Sequence, residues 1–457
     1  MSLTKKEKYS FGIGALGKDA ICCFVGSFLM FYYTDVLFLS PVFVGTLFFV
    51  ARIWDAVNDP MMGVIVDNSN FKFGKFRTWL VIGTVLNAIV FVGLFTTFGL
   101  QGKALYIYVA VTYILYGMTY TVMDVPYWSW LPNLTSDPRE RESVSVIPRF
   151  FASVAGFTTG VFGLMFIDKL DGIFGNGDRM AGYTVISIFI SVLFLVTIGN
   201  TVFQVKEKQT GTQNEKTGFK QIVKILSQNK QLMAYIGLLL SYNLCIQIVN
   251  GIIIYYFKYA VGKESLFSIF NLCILAEMGG LILFPRLAGT FGRKKLFAAA
   301  CALPVAGLIV IAVSGFFAPT SPVFVIIGAG LLKLGSGFEL GVVTVSIADV
   351  IDYNESLFGT RNESIICSAQ TFLMKSSQAV SGLLTGVGLA MVGYQAGQQQ
   401  QTAMTINGIR IIMIVIPMCF SVLSYFIYSK FYKLEDGLLR TDNKAPKKSY
   451  SGKDILA

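Results

Sequence analysis

Two aspartates lie one helical turn apart inside an apolar segment of the chain. Asp55 and Asp59 belong to residues 47–66, a run long enough to span a bilayer. Residues at positions i and i+4 share one face of a helix, so the two carboxylates are close enough to hold one small cation. An acidic side chain at the centre of a span costs roughly 2.5–3.5 kcal/mol on insertion scales, and two of them indicate a functional role. The pattern favours a cation site of the kind that a membrane transporter needs.

A stripe of aromatic and acidic side chains occurs in a later apolar segment. Tyr120, Asp124 and Trp128 are spaced four residues apart and therefore share one helix face. An aromatic ring can stack on the apolar face of a pyranose, while a carboxylate accepts hydrogen bonds from its hydroxyls. A lipid-facing or core stripe is the alternative, but the central aspartate favours a sugar site.

Thr121 lies next to that stripe and points away from it. Its hydroxyl oxygen could reach the cation held by Asp55 and Asp59. Na⁺ and Li⁺ are hard cations, which, like Ca²⁺ and Mg²⁺, prefer oxygen ligands. The candidate cation site therefore contains two carboxylates and one hydroxyl.

The first apolar segment contains an adjacent lysine and aspartate, Lys18 and Asp19. Neighbouring residues diverge by about 100° around a helix, so the two side chains are not expected to point the same way. At least one should face a polar cavity, where Asp19 would accept hydrogen bonds from sugar hydroxyls. The alternative is an ion pair with a neighbouring helix.

Two further basic residues lie near or within spans. Lys375 is isolated in the eleventh apolar segment and needs a counter-charge, for which the aspartates of the first half are candidates. Arg149 begins the fifth segment after Pro148, and the sequence leaves open whether it anchors the cytoplasmic side or faces a cavity.

Charged residues at the end of the tenth segment predict a cytoplasmic gate that opens and closes during transport. Charges of the loop between the fourth and fifth segments are possible partners. Individual surface ion pairs contribute about 0–1 kcal/mol, so a latch needs several of them. The predicted gate residues are Arg141, Asp349, Asp352, Arg361 and Glu363.

The elements that must position these residues are membrane helices. The 457-residue chain is 54% hydrophobic and 14% charged, which is typical of a membrane protein. Twelve apolar segments predict an all-α membrane protein with twelve transmembrane helices in two six-helix halves. The predicted parts are a bundle at 1–204, a cytoplasmic loop at 205–225, a second bundle at 226–433 and a basic tail at 434–457.

The net charge of +11 is explained by its distribution. With both termini in the cytoplasm, most of the 37 lysines and arginines fall on the cytoplasmic side, as the positive-inside rule requires. This bias disfavours nucleic-acid binding. The sequence has no histidine, and its seven cysteines lie in apolar segments without metal-ligand spacing. We therefore expect neither an enzyme nor a bound cofactor, and a non-transporting sensor is disfavoured by the lack of an output domain.

The chain resembles the melibiose permease family, the glycoside–pentoside–hexuronide:cation symporters of the major facilitator superfamily. The resemblance covers nearly the whole chain. It is densest at residues 31–35, 45–60, 74–76, 118–126, 148–153 and 348–353.

The resemblance implies a role for each candidate residue. Asp55, Asp59 and Thr121 would bind Na⁺, Li⁺ or H⁺. Lys375 would lie near both the cation and the sugar. The residues implied in sugar binding are Lys18, Asp19, Tyr120, Asp124, Trp128, Arg149, Gln370, Thr371 and Lys375.

Two positions depart from the family pattern. Gly26 stands where the family has a tyrosine, and Leu340, next to Glu339, stands where it has a tryptophan. We predict a symporter, functional as a monomer in the cytoplasmic membrane, that carries a galactoside such as melibiose with Na⁺, Li⁺ or H⁺. A proton-coupled glucuronide or pentoside symporter of the same family is the alternative.

Overall fold

A computed structural model describes residues 3–69, 71–134, 138–207, 229–358, 363–398 and 400–434. These residues form helices joined by short turns, which confirms the predicted all-α fold. The helices up to residue 207 are α1 (Lys5–Phe31), α2 (Pro41–Asp67), α3 (Lys75–Leu94), α4 (Gly102–Leu134), α5 (Pro138–Phe174) and α6 (Met180–Gln204).

The later helices follow the same pattern of long apolar elements. They are α7 (Lys230–Tyr255), α8 (Leu266–Leu272), α9 (Ile274–Phe291), α10 (Arg293–Phe317), α11 (Pro322–Phe358), α12 (Glu363–Met391), α13 (Ala403–Arg410) and α14 (Ile416–Phe431). Within the described residues, eleven helical stretches are long and apolar enough to cross a membrane. The predicted eleventh span is also a helix, α12, whose polar residues include Gln370 and Lys375.

Small residues let neighbouring helices approach closely. A Cβ atom added to Gly17 of α1 would lie 2.6 Å from the Cα atom of Phe194 in α6. One added to Gly83 of α3 would lie 2.6 Å from the backbone nitrogen of Met123 in α4. Close packing of this kind is a main source of helix association in membranes, where burial of apolar surface does not distinguish protein from lipid. It fixes α1 and α4, which carry most of the candidate sugar residues.

The first residues of α3 are held by a carboxylate. Glu207, just after α6, accepts hydrogen bonds from the backbone N–H groups of Lys75 at 2.9 Å, Phe76 at 3.1 Å and Arg77 at 3.2 Å. A negative charge at a helix N-terminus satisfies N–H groups that have no partner within the helix. The preceding Gly74 adopts φ = +107°, which favours glycine.

Two helices end in π-helical turns rich in tyrosine. The turn Tyr32–Val36 follows α1, and Tyr256–Val261 follows α7. These helices are the first spans of the two predicted halves, so the matching turns agree with an internal repeat. Isolated π-helical turns are frequent at functional sites.

The described chain forms two compact units. One contains residues 3–207 together with Gly382–Gly408, and the other contains residues 229–381 and 409–434. Close backbone contact joins Gly382–Gly408 to the first unit, because a Cβ on Gly45 would lie 3.1 Å from the Cα atom of Gly386. The Tyr394 hydroxyl also donates to Asp35 at 2.6 Å. The predicted domain boundaries stay a prediction, since most of the 205–225 loop and the 434–457 tail lie outside the described residues.

Candidate functional site

A buried lysine lies at the centre of the candidate sugar site. Lys18 is 2% exposed, and its Nζ atom lies 2.8 Å from Asp124 Oδ1 and 3.1 Å from Asp19 Oδ1. It also donates to the Tyr120 hydroxyl at 3.3 Å. Helices α1 and α4 thus bring four of the predicted sugar-binding residues to one place.

The Lys18 and Asp19 side chains were expected to point in different directions. That expectation was wrong for their charged groups, which lie next to each other. The lysine stem has four flexible carbons, which let Nζ bend back to the carboxylate of the next residue. The alternative, an ion pair with a neighbouring helix, is also present, because Lys18 reaches Asp124 of α4. One ammonium therefore serves two carboxylates.

Aromatic rings surround this ammonium. Lys18 Nζ lies 5.7 Å from the ring centroids of Tyr120 and Tyr127 and 5.2 Å from that of Trp128. Such distances permit cation–π attraction. The four-residue spacing did not predict Tyr127, because that spacing selects the residues of a single helix face. The Tyr127 hydroxyl donates to the Phe11 carbonyl at 2.6 Å. Trp128 is 37% exposed, so its ring has room for a further partner.

One oxygen of the site has no hydrogen-bond donor. Asp19 Oδ2 is buried and lacks a hydrogen-bond partner, while Oδ1 pairs with Lys18. A buried acceptor left without a donor costs about 1–3 kcal/mol. A ligand hydroxyl placed there would donate the missing hydrogen bond.

The predicted cation ligands meet between α2 and α4. The Thr121 hydroxyl donates to Asp59 Oδ1 at 2.8 Å. Asp55 lies one turn away on α2, and a Cβ added to Gly117 of α4 would be 2.9 Å from Asp55 Oδ1. Because Gly117 has no side chain, α4 leaves room for the Asp55 carboxylate. Thr121 of the same helix forms a hydrogen bond with the Asp59 carboxylate.

Arg52 is a functional candidate that sequence reasoning left without a role. Its Nη1 atom lies 3.0 Å from Asp55 Oδ2, and Asp55 is 6% exposed. In the sequence, the three-residue spacing of Arg52 and Asp55 already indicates that the two side chains share one face of α2. The guanidinium supplies the positive charge that a bound cation would otherwise bring to Asp55. Two carboxylates and a hydroxyl suit a small monovalent cation. Among the described residues, no group of three acidic or cysteine side chains is arranged to hold a metal ion.

Helix α4 lies between the two groups of charges. Its Tyr120 hydroxyl accepts from Lys18 at 3.3 Å, and the hydroxyl of the next residue, Thr121, donates to Asp59 at 2.8 Å. The candidate sugar and cation sites are therefore neighbours within the first unit.

Several predicted residues are not brought into this cluster by any described contact. The Arg149 side chain is exposed on α5, and Gln370 and Lys375 are partly buried in the second unit. The side chain of Thr371 lies outside the described residues. Their predicted roles in sugar binding stay predictions.

The predicted gate is only partly described. Asp349 Oδ2 lies 2.5 Å from Nη1 of Arg293, which joins α11 to the start of α10. Arg293, which begins the run of three basic residues at 293–295, was not among the predicted partners. Asp352 is exposed, and the side chains of Arg141, Arg361 and Glu363 lie outside the described residues. The gate as a whole stays a prediction.

The long apolar helices are those of a multi-pass membrane protein, and charged clusters at membrane depth are of the kind that a transporter needs. Comparison with known proteins agrees, because the chain matches the MFS/sugar transport protein family over residues 10–436. The chain therefore belongs to the MFS/sugar transport protein family, and it is a multi-pass membrane transporter rather than an enzyme.

Relatives of known sequence are similar over most of their length. A putative glycoside/cation symporter of Escherichia coli, YagG, is 32% identical over 448 residues, which cover 95% of this chain and 93% of the relative. An isoprimeverose transporter of Lactiplantibacillus pentosus is 28% identical over 414 residues, covering 90% and 85%. A lactose permease of Lactobacillus delbrueckii is 27% identical over 448 residues, covering 93% and 69%. These similarities support a glycoside:cation symporter.

Solved structures show the same fold at low sequence identity. A nucleoside transporter, NupG, aligns with a TM-score of 0.65 at 12% identity, covering 93% of this chain and all of the other. A bacterial homologue of the human lysosomal transporter Spinster aligns with a TM-score of 0.67 at 11% identity, covering 97% and 100%. The predicted major facilitator fold is confirmed.

Proposed function

We propose that this symporter carries a galactoside such as melibiose together with Na⁺, Li⁺ or H⁺. The observation that carries the proposal is the buried Asp19 Oδ2, which lacks a donor beside the Lys18–Asp124 ion pair. A galactosyl unit offers several hydroxyl donors and an apolar ring face. Relatives named lactose permease and raffinose carrier protein support this class, because both sugars are galactosides.

The recognition we propose uses each group according to its chemistry. Sugar hydroxyls donate to Asp19 and Asp124, and a hydroxyl oxygen accepts from the Lys18 ammonium. The pyranose ring stacks on Trp128, whose indole is partly exposed beside this cluster. Because donors and acceptors are both present, the site would select against sugars that lack the matching hydroxyls.

Coupling follows from the charges of the cation site. Without a cation, Asp55 and Asp59 repel each other, and Arg52 offsets part of that repulsion. A bound cation ligated by Asp55, Asp59 and Thr121 removes the repulsion and changes the field at Lys18 and Asp124. Cation and sugar then raise each other's affinity equally. Each charge carried inward at 100 mV contributes about 2.3 kcal/mol to accumulation.

A second candidate is a proton-coupled carrier of glucuronides or pentosides. The Lys18 ammonium could pair with a substrate carboxylate, and one relative is named an isoprimeverose transporter. In either case we place both termini in the cytoplasm and expect the monomer to be the working unit.

Uptake of labelled melibiose into cells expressing the chain tests the proposal, with Na⁺, with Li⁺ and with neither. Accumulation stimulated by a cation supports a galactoside symporter. Competition by glucuronides or pentosides with no melibiose uptake, in a chain shown to reach the membrane, favours the second candidate.

A variant links the measurement to the site. Asp55→Cys should abolish Na⁺ stimulation and leave some sugar binding, whereas Asp178→Asn, at an exposed position just before α6, should behave like the wild type. Unchanged Na⁺ stimulation in Asp55→Cys would refute the cation-site assignment.

A further inference from the structure

The second unit contains a buried carboxyl group for which the proposed transport mechanism has no use. Glu339 of α11 is 7% exposed, and its Oε1 atom is buried and lacks a hydrogen-bond partner. An ionised carboxylate without a partner is strongly unfavourable in an apolar interior, whereas the neutral acid is tolerated much better. The group must therefore be neutral or must have a source of compensating charge.

Among the residues that the structure describes, the titratable groups around Glu339 do not supply that charge. Helix α8, which packs against α11, has no titratable residue. Titratable groups within electrostatic reach come from three other helices, namely Tyr242 and Cys245 of α7, Glu277 of α9 and Cys301 of α10. All of these are neutral or negative at neutral pH.

The nearest lysine on the same helix is already engaged. Lys333 Nζ lies 3.3 Å from Glu277 Oε2, so this pair has no net charge. Six residues separate Lys333 from Glu339, which places them roughly 120° apart around α11. If Glu339 were ionised, the region would carry one uncompensated negative charge.

We propose that Glu339 is a proton-binding site of the second unit and carries its proton in the conformation described. The reaction is the association of one H⁺ with one carboxylate, without redox change. A metal cation fits less well, because hard cations need several oxygen ligands and the neighbours of Glu339 offer few. The Tyr242 hydroxyl already donates to the Ala300 carbonyl at 3.4 Å, and the other neighbours are thiols and a carboxylate held by Lys333.

A bound proton at this position makes the conformation sensitive to pH. Acidic conditions favour the state in which Glu339 is buried and neutral. Alkaline conditions favour any state in which water reaches the carboxylate. This site lies in a different unit from Asp55 and Asp59, so the inference stands apart from the proposed cation site and does not depend on the transported sugar.

Infrared spectroscopy of the full chain in lipid membranes tests the proposal directly. The difference between the wild type and Glu339→Gln should contain the carbonyl stretch of a protonated carboxylic acid. The matched control is Asp168→Asn, which removes a carboxylate that pairs with Arg179 at 2.8 Å and should not remove that band. If the wild type and Glu339→Gln have the same band, the proposal is overturned.

Thermal unfolding of the purified chain gives a second measurement that does not require transport. Between about pH 6 and about pH 9, above the usual range of carboxyl titration, the melting temperature of the wild type should fall. Glu339→Gln mimics the neutral acid and should remove most of that fall. An equal fall in both proteins contradicts the proposal. If the variant does not fold, loss of the wild-type carboxylic acid band over the same pH range supports the proposal, and a constant band contradicts it.

Discussion

The Lys18 ammonium lies closer to Asp124, at 2.8 Å, than to Asp19, the next residue in the chain, at 3.1 Å. The stronger pairing therefore joins two helices, and the weaker one lies within α1. This leaves one net negative charge in the cluster and one oxygen of Asp19 without a donor. The arrangement is suited to a neutral ligand rich in hydroxyl groups.

Removing the ammonium should be more harmful than removing one of its partners. Lys18→Met leaves two partly buried carboxylates without their counter-charge and should destabilise the protein, by less than the roughly 3–5 kcal/mol expected for a fully buried pair. Asp124→Asn leaves Lys18 paired with Asp19, so the loss of stability should be smaller. Because the variant lacks the Asp124 carboxylate, it should not bind sugar. Thermal unfolding and sugar binding of the purified variants measure both effects.

The double variant of the same pair provides the control. Lys18→Met with Asp124→Asn removes one charge of each sign, so it should recover stability relative to Lys18→Met without recovering sugar binding. Equal stability of the wild type and Lys18→Met would show that the ion pair does not hold α1 to α4. Lys103→Met, at an exposed position, reports the effect of losing a lysine in general.

The hydroxyl of Thr121 should matter more than its methyl group. Thr121→Val removes the donor to Asp59 and one oxygen ligand, so cation affinity should fall about tenfold or more, as expected for a hydrogen bond to a charged group. Thr121→Ser keeps the oxygen and should retain most of the affinity. Cation-stimulated sugar binding gives the affinities.

A threonine on another helix tests whether that loss is specific. The Thr158 hydroxyl of α5 donates to the carbonyl of Val154, four residues earlier. Thr158→Val should leave the cation affinity unchanged. Equal losses in Thr121→Val and Thr121→Ser would mean that the hydroxyl oxygen is not a ligand.

Arg52 should compete with the cation for Asp55. Arg52→Gln takes away the guanidinium 3.0 Å from that carboxylate, so the protein without cation becomes less stable. Added Na⁺ or Li⁺ should then raise the melting temperature by more than in the wild type, because ligand binding stabilises the folded state. Arg52→Lys keeps the charge and should resemble the wild type. A smaller rise in Arg52→Gln would show that the guanidinium assists cation binding.

Sequence periodicity predicted the relationships that lie within one helix or on one helix face. The pairing of Thr121 with Asp59 agrees with the expectation that Thr121 points away from the Tyr120 stripe. A turn of helix has fixed geometry, so spacing alone predicts which side chains share a face.

Most relationships between helices could not be read from spacing. Lys18 and Asp124 are 106 residues apart, and Arg293 and Asp349 are 56 residues apart. Which helices touch depends on how small residues allow backbones to approach, and many pairings satisfy the same periodicity. The bend of Lys18 back to Asp19 was also missed, because helical angles describe Cβ directions and not the reach of a long side chain.

Two glycines of α1 should respond oppositely to the same substitution. Gly17→Ala places a methyl group 2.6 Å from the Cα atom of Phe194, so α1 and α6 must separate and the protein should lose about 1–3 kcal/mol. No atom lies within 4 Å of a Cβ built on Gly26, so Gly26→Ala should be neutral or should stabilise the helix by about 0.5–1 kcal/mol. Thermal unfolding of the two variants measures this difference in stability between two positions of the same helix. If Gly17→Ala is as stable as Gly26→Ala, the close approach of α1 to α6 does not hold the first unit together.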